Sequence, residues 1–333
     1  MRRLGIPALV VLAAGLSLLG GCSSGDSGSN VGSVGPEGRT GLSVAVGAKP
    51  RGVAIDSVRG RLLTANEGEG TASIVDMKSL KVIATLRAGT ASSAVAVNER
   101  TGRAYVANTS SEDVTVIDVD SNKVITNVAV GQGPLDLVVD PESNLVYVAN
   151  ARSNDISIID GADNGVKRTL TGVQEPRALA LRRDAGLLYV ASGGTDTLDV
   201  LDIEANAVVA TVPLGGRPGA LAIDLGRERA YVTNLEGASV DVIDLRDRRV
   251  VATAPVGQAP QAVVVDAAND RVYVANFFSD TLSIIDGASN GVTEVQVGSG
   301  SRPIDIALAG DRLYVANDGT SDVRVFALQD LSQ

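Results

Sequence analysis

From about residue 42 onward, apolar residues fall in short runs, each closed by a polar or turn-forming cluster. One unit shows the pattern. Gly257-Gln258-Ala259-Pro260 reads as a turn, and Ala262 to Asp266 as an apolar strand ending in Asp. A polar turn leads to Arg271-Val272-Tyr273-Val274-Ala275-Asn276, and a short loop to Thr281-Leu282-Ser283-Ile284-Ile285-Asp286. A turn with Asn290-Gly291 then leads to Val292-Thr293-Glu294-Val295-Gln296-Val297. Runs of this length, bounded by Gly, Pro, Asn and Asp, predict four strands in about 42 residues. The second strands are apolar in both phases, as in Val146-Tyr147-Val148-Ala149. That predicts sheets covered on both faces, because a solvated sheet alternates.

The unit repeats. The six Tyr of the chain are Tyr105, Tyr147, Tyr189, Tyr231, Tyr273 and Tyr314, at spacings of 42, 42, 42, 42 and 41. One further step back from Tyr105 lands on Leu63 in Arg61-Leu62-Leu63-Thr64-Ala65-Asn66, a copy with Leu for Tyr. Seven copies of a four-stranded unit predict an all-β, seven-bladed β-propeller. The last copy ends after its third strand, near Val323-Arg324-Val325-Phe326. Leu42 to Gly47 matches the missing fourth strand, so the N-terminal strand is expected to complete the last blade and remove both free edges. The recurring Tyr-Val-Ala-Asn, with Tyr-Val-Thr-Asn at 231–234 and Ser192 for Asn in the fourth copy, resembles the YVTN-repeat β-propeller family of bacterial and archaeal surface proteins. The resemblance spans residues 42 to about 328. It bears on fold more than on function, which belongs to sites rather than folds.

The N-terminus carries a different pattern. Arg2 and Arg3 precede an apolar run from Ile6 to Leu19, short for a spanning helix, and the run ends in Leu19-Gly20-Gly21-Cys22. That segment resembles the lipobox of bacterial lipoproteins. It implies a signal peptide over 1–21, a diacylglycerol on Cys22, and a Gly/Ser-rich tether over 22–39 ahead of the propeller at 40–333. Cys22 is the only Cys, so an intramolecular disulfide is excluded. By the same resemblance, Ser23 after Cys22 favours the outer membrane where the host has two membranes. Otherwise the expected location is the outer face of the cell membrane. Two or three acyl chains anchor stably, and the tether reaches roughly 20–25 Å.

Composition narrows the chemistry. There is no His and no Trp, and only three Phe. Without His there is no Ser-His-Asp triad and no His-ligated metal. Seven-bladed lactonases and lyases, as families, lean on His. WD-type and quinone-cofactor propellers need Trp. No enzyme activity, catalytic residue, resident metal or cofactor is therefore expected. The net charge of −10 disfavours binding phosphate polymers through overall charge.

Residues that recur in nearly every copy are expected to serve the blade. The Asp closing each third strand (Asp76, Asp118, Asp160, Asp202, Asp244, Asp286) is expected to cap its turn, and the Asn closing each second strand to shape its loop. Function is expected where copies differ. Beside the Pro turns lie Lys49, Arg51, Glu175, Arg177, Arg217 and Arg302, with Asp136 and Asp305 two places after their Pro. Together they are expected to ring a channel mouth that accepts anions. The loops after Asn are expected to form an acidic outer rim (Glu67, Glu69, Glu112, Asp155, Asp196, Glu236, Asp280, Asp322). Phe277 and Phe278 interrupt that rim, and at least one of them is expected to be exposed as a partner anchor.

The function expected from these features is a membrane-anchored, non-enzymatic binding or scaffold module, monomeric, for a protein or surface polymer on its loop face. Two alternatives stay open. One is single-stranded nucleic-acid or small-anion binding at the channel mouth, since relatives in the repeat family are reported to bind single-stranded DNA. The other is a lactonase-like hydrolase.

Overall fold

Each repeat forms one four-stranded antiparallel sheet in the computed structural model, which describes residues 42–331. The first strands of the seven blades are Pro50–Asp56, Ser92–Asn98, Pro134–Asp140, Pro176–Arg182, Pro218–Asp224, Pro260–Asp266 and Pro303–Ala309. Each lies against the first strand of the next blade, and the seventh lies against the first, so they form a closed inner ring. The other strands of each blade follow outward in chain order. The seventh sheet is the exception: Leu42–Ala45 pairs antiparallel with Asp322–Ala327, Leu42 opposite Val325 and Ala45 opposite Asp322. The N-terminal strand therefore closes the disc.

The core lies between blades rather than within one. Tyr105 packs with Val128, Leu137 and Val148, which joins the second blade to the third, and Tyr189 packs with Ala230 and Val232 of the fifth blade. Tyr suits this place because its ring fills the wedge between twisted sheets. The small Ala two residues later (Ala107, Ala149, Ala191, Ala275, Ala316) is fully buried.

The recurring polar residues hold the turns. Asp118 Oδ1 accepts from the backbone N–H of Ser121 at 2.7 Å and from its hydroxyl at 2.8 Å, and Asp76 and Asp286 do the same with Ser79 and Ser289. Those bonds lower the pKa of all three carboxyls, Asp286 to about 2. The recurring Asn reaches further than its own loop. Asn108 Nδ2 donates to Asp113 (2.7 Å) and Thr115 (2.9 Å) on the third strand, and its Oδ1 accepts from Ser92 (2.8 Å) on the first. It is fully buried and ties three strands together.

The same Asn explains the Gly-x-x-Pro turn. A Cβ on Gly47 would stand 2.5 Å from Asn66 Nδ2, and one on Gly131 or Gly257 would stand 2.7 Å from the Asn of its own blade. In the fourth blade both partners change together. Ser192 replaces Asn and donates to Asp199 at 2.7 Å, and Val173 fills the Gly position and is buried. The expected signal peptide, Cys22 and the expected tether lie outside the described residues. Among the described residues no helix is long and apolar enough to cross a membrane.

Candidate functional site

The Pro turn and the loop after Asn are joined in every blade. The loop N–H donates to the carbonyl of the residue just before the Pro position: Glu67 to Lys49 (2.9 Å), Leu235 to Arg217 (2.9 Å), Phe277 to Ala259 (3.0 Å) and Asp318 to Arg302 (3.1 Å). These two connections therefore share one face. On it opens a cavity of about 650 Å³ at the end of the central channel.

A bulge directs side chains into this cavity. In each blade the strand register shifts immediately after the Pro position, for example between Pro134 and Asp136, which leaves the following residue unpaired, and in the fifth blade the next one, Ala220, as well. The seven residues that directly follow the Pro position are Arg51, Ser93, Leu135, Arg177, Gly219, Gln261 and Ile304, and all of them line the cavity. One step further along, Asp136 and Asp305 line it where the other blades carry Gly or Ala.

The charged groups are organised in two similar clusters. Asp305 Oδ2 accepts from the N–H of Val53 in the next blade at 2.7 Å, and Asp136 Oδ2 from the N–H of Leu179 in the next blade at 2.8 Å. In each case that next blade also supplies the arginine, Arg51 or Arg177. Arg51 Nε donates to Glu67 at 3.0 Å. Arg177 donates to Glu175 at 2.9 Å, and Arg217 reaches the same Glu175 oxygen at 3.6 Å. Arg177 Nε is buried with no hydrogen-bond partner.

Burial raises the pKa of both aspartic acids against the pull of their backbone donors, Asp136 to about 6 and Asp305 to about 7. Asp136 adds to the rise at Asp305 by like-charge repulsion. Both carboxyls are enclosed by protein yet half-open to the channel.

The ring expected from sequence contracts in the structure. Arg51, Arg177, Arg217, Asp136 and Asp305 border the cavity, whereas Glu175 does not line it itself and neither do Lys49 and Arg302. Both stand in exposed turns with left-handed backbone, φ 51° and 50°, and the Arg302 guanidinium lies 5.9 Å from the centroid of the Phe277 ring. The acidic rim also thins. Asp280 accepts the N–H groups of Gly300 (2.7 Å) and Arg302 (2.8 Å), Asp155 accepts from Asn150 (2.7 Å), and Asp322 accepts from Asn317 (2.9 Å), so these three brace loops. Phe277 is half-buried against the apolar cluster of the closing blades, while Phe278 stacks edge-on to it and is 70% exposed. Sequence reasoning missed the Arg51–Glu67 and Arg177–Glu175–Arg217 pairings, which join loops of one blade or of neighbours.

Fold and site define the chain as a seven-bladed β-propeller with a charged cavity at one end of its channel. No protein-family model matches the chain, and no curated protein matches it either. Among solved structures, a chain titled Kuenenia stuttgartiensis hydrazine synthase superposes with a TM-score of 0.76 at 19% identity. The match covers 85% of this chain and 97% of that one, and it shows the propeller fold alone. In all, 1583 solved chains match, so the fold is too widely shared to carry a function.

Proposed function

We propose that the chain is a non-catalytic binding module of the cell envelope, anchored through lipid on Cys22, which holds a protein or surface polymer on the face formed by the Pro turns and the loops after Asn. One observation carries this reading. The framework residues are nearly the same in every blade, yet the seven bulge residues are all different except for the Arg pair, and they converge on one cavity. Positions that the fold repeats serve the fold, so divergent side chains gathered at one place serve a ligand. Phe278 adds an exposed aromatic on the same face, the kind of side chain that anchors interfaces. The resemblance to YVTN-repeat surface proteins agrees with an envelope role. Crosslinking the full chain in intact membranes tests the reading. A partner is expected with wild type and lost with Phe278→Ala. Identical recoveries would remove Phe278 from the docking surface.

A second reading has its own support. The 650 Å³ cavity bordered by Arg51, Arg177 and Arg217 suits a small anion at the channel mouth. A lactonase-like activity finds no comparable support, since the charged groups lining the cavity are three carboxyls and three arginines, and no hydroxyl there is hydrogen-bonded to a side-chain base among the described residues.

A further inference from the structure

The sign of the charge in the channel cavity depends on two residues. Arg51, Arg177 and Arg217 bring three positive charges, and Glu67 and Glu175, to which they are paired, bring two negative ones. With Asp136 and Asp305 both neutral the set sums to +1, and with both ionised it sums to −1. No other charged side chain borders the cavity among the described residues.

The groups facing each aspartic acid are few. The inner strands that flank Asp136 bring Ser93 and Ala94 to the cavity lining on one side and Arg177 and Ala178 on the other. The inner strands that flank Asp305 bring Gln261, Ala262 and Val263 to the cavity lining on one side and Arg51 on the other. Each carboxyl is held in place by the next blade's backbone N–H, so a protonated form keeps its position while offering an O–H donor. Arg51, Arg177 and Arg217 all border the cavity, so guanidinium groups already line the space an anion would enter.

We propose that the cavity is a proton-coupled site for a small oxyanion, which enters as Asp136 and Asp305 take up protons. The inference rests on the small-anion reading of the channel mouth and adds its regulation and the class of ligand. The anion's negative charge favours the neutral form of both carboxyls, and their neutral forms remove the negative charge that would repel an anion from the arginine-lined wall. Binding and protonation therefore reinforce each other by linkage. The raised pKa of the two groups places the exchange near neutral pH. An anion-binding wall built from arginines alone would bind equally well across that range.

Titration calorimetry of the full chain in detergent with sulfate tests this, because sulfate itself does not titrate between pH 5.5 and 8.5. Affinity is expected to fall at least tenfold from pH 5.5 to 8.5, and the binding heat near pH 7 is expected to change with the buffer's ionisation enthalpy, which counts protons without any variant. In Asp136→Asn/Asp305→Asn the affinity is expected to stop changing with pH, and Arg177→Ala is expected to weaken binding at least tenfold. Saturable binding by wild type with no pH dependence and no proton uptake would overturn the coupling while leaving the anion site standing. A pH dependence that survives in the double variant would overturn the role of the two aspartic acids. No saturable binding of sulfate at either pH would overturn the anion site and this inference with it.

Discussion

At the residue scale, the repeat allows each side chain to be compared with its equivalents in other blades. The turn between the third and fourth strands places its fourth residue after Asp in the left-handed region. That residue is Asn122, Asn164, Asn206 and Asn290 in four blades, with φ between 52° and 59°, but Arg248 at φ 55° in the fifth. Asn tolerates this region because its short side chain bonds locally, whereas the Cβ of a long side chain is crowded there. Arg248 is exposed and makes one long bond to the Val209 carbonyl. Arg248→Asn is therefore expected to stabilise by about 0.5–1 kcal/mol, read as a higher urea midpoint at unchanged slope. A lower midpoint would show that the Val209 contact outweighs the backbone strain.

At the scale of the element, the blade depends on a matched pair, Gly in the turn and Asn at the end of the second strand. In the first, second, third and sixth blades the Gly cannot gain a side chain while the Asn stays, because the Asn side chain occupies the space that a Cβ would fill. The fourth blade shows the alternative solution, with Val173 buried where Gly would stand and Ser192 in place of Asn. Ser192→Asn alone forces an amide against Val173 and is expected to cost about 1–3 kcal/mol, as overpacking does. Adding Val173→Gly makes room for the amide, and the double variant is expected to recover a substantial part of that loss. A double-mutant cycle measures the coupling, and simple additivity would break the link between the two positions. The N-terminal strand belongs to this scale too. It leaves Leu42 half-exposed but buries Val44 in the cluster of the closing blades, and it covers the edge of Asp322–Ala327 that would otherwise be open.

For the whole molecule, the fold was legible because every blade writes the same code. Tyr spacing gave the number of blades, and the unpaired ends of the repeat gave the closure. The location of the site was also legible, since it consists of positions where the repeat diverges. Its electrostatics were not. Asp136 and Asp305 are 169 residues apart in sequence, and they feel one another only because the ring closes around a shared channel. Their burial has a consequence for stability that concerns the molecule as a whole. A carboxyl whose folded pKa lies above its unfolded value stabilises the native state fully below about pH 4, and that contribution is lost as pH rises through the folded pKa. For Asp136 and Asp305 the loss runs from about pH 4 to about pH 6 and 7 respectively. The turn aspartates act in the opposite sense. Asp76, Asp118, Asp160, Asp244 and Asp286 have lowered pKa values, so their contribution is present above about pH 4 and lost as pH falls below it. Together these place maximum stability in mildly acid solution. Because one pKa unit is worth about 1.4 kcal/mol and both carboxyls are half-open to the lumen, the pair is expected to cost on the order of 2–4 kcal/mol at pH 8. Asp136→Asn/Asp305→Asn removes that cost, so its urea midpoint is expected to exceed wild type at pH 8 and to match it at pH 4. Parallel curves for the two proteins across that range would mean that the channel carboxyls titrate normally, and the cavity would then carry its net negative charge at every physiological pH.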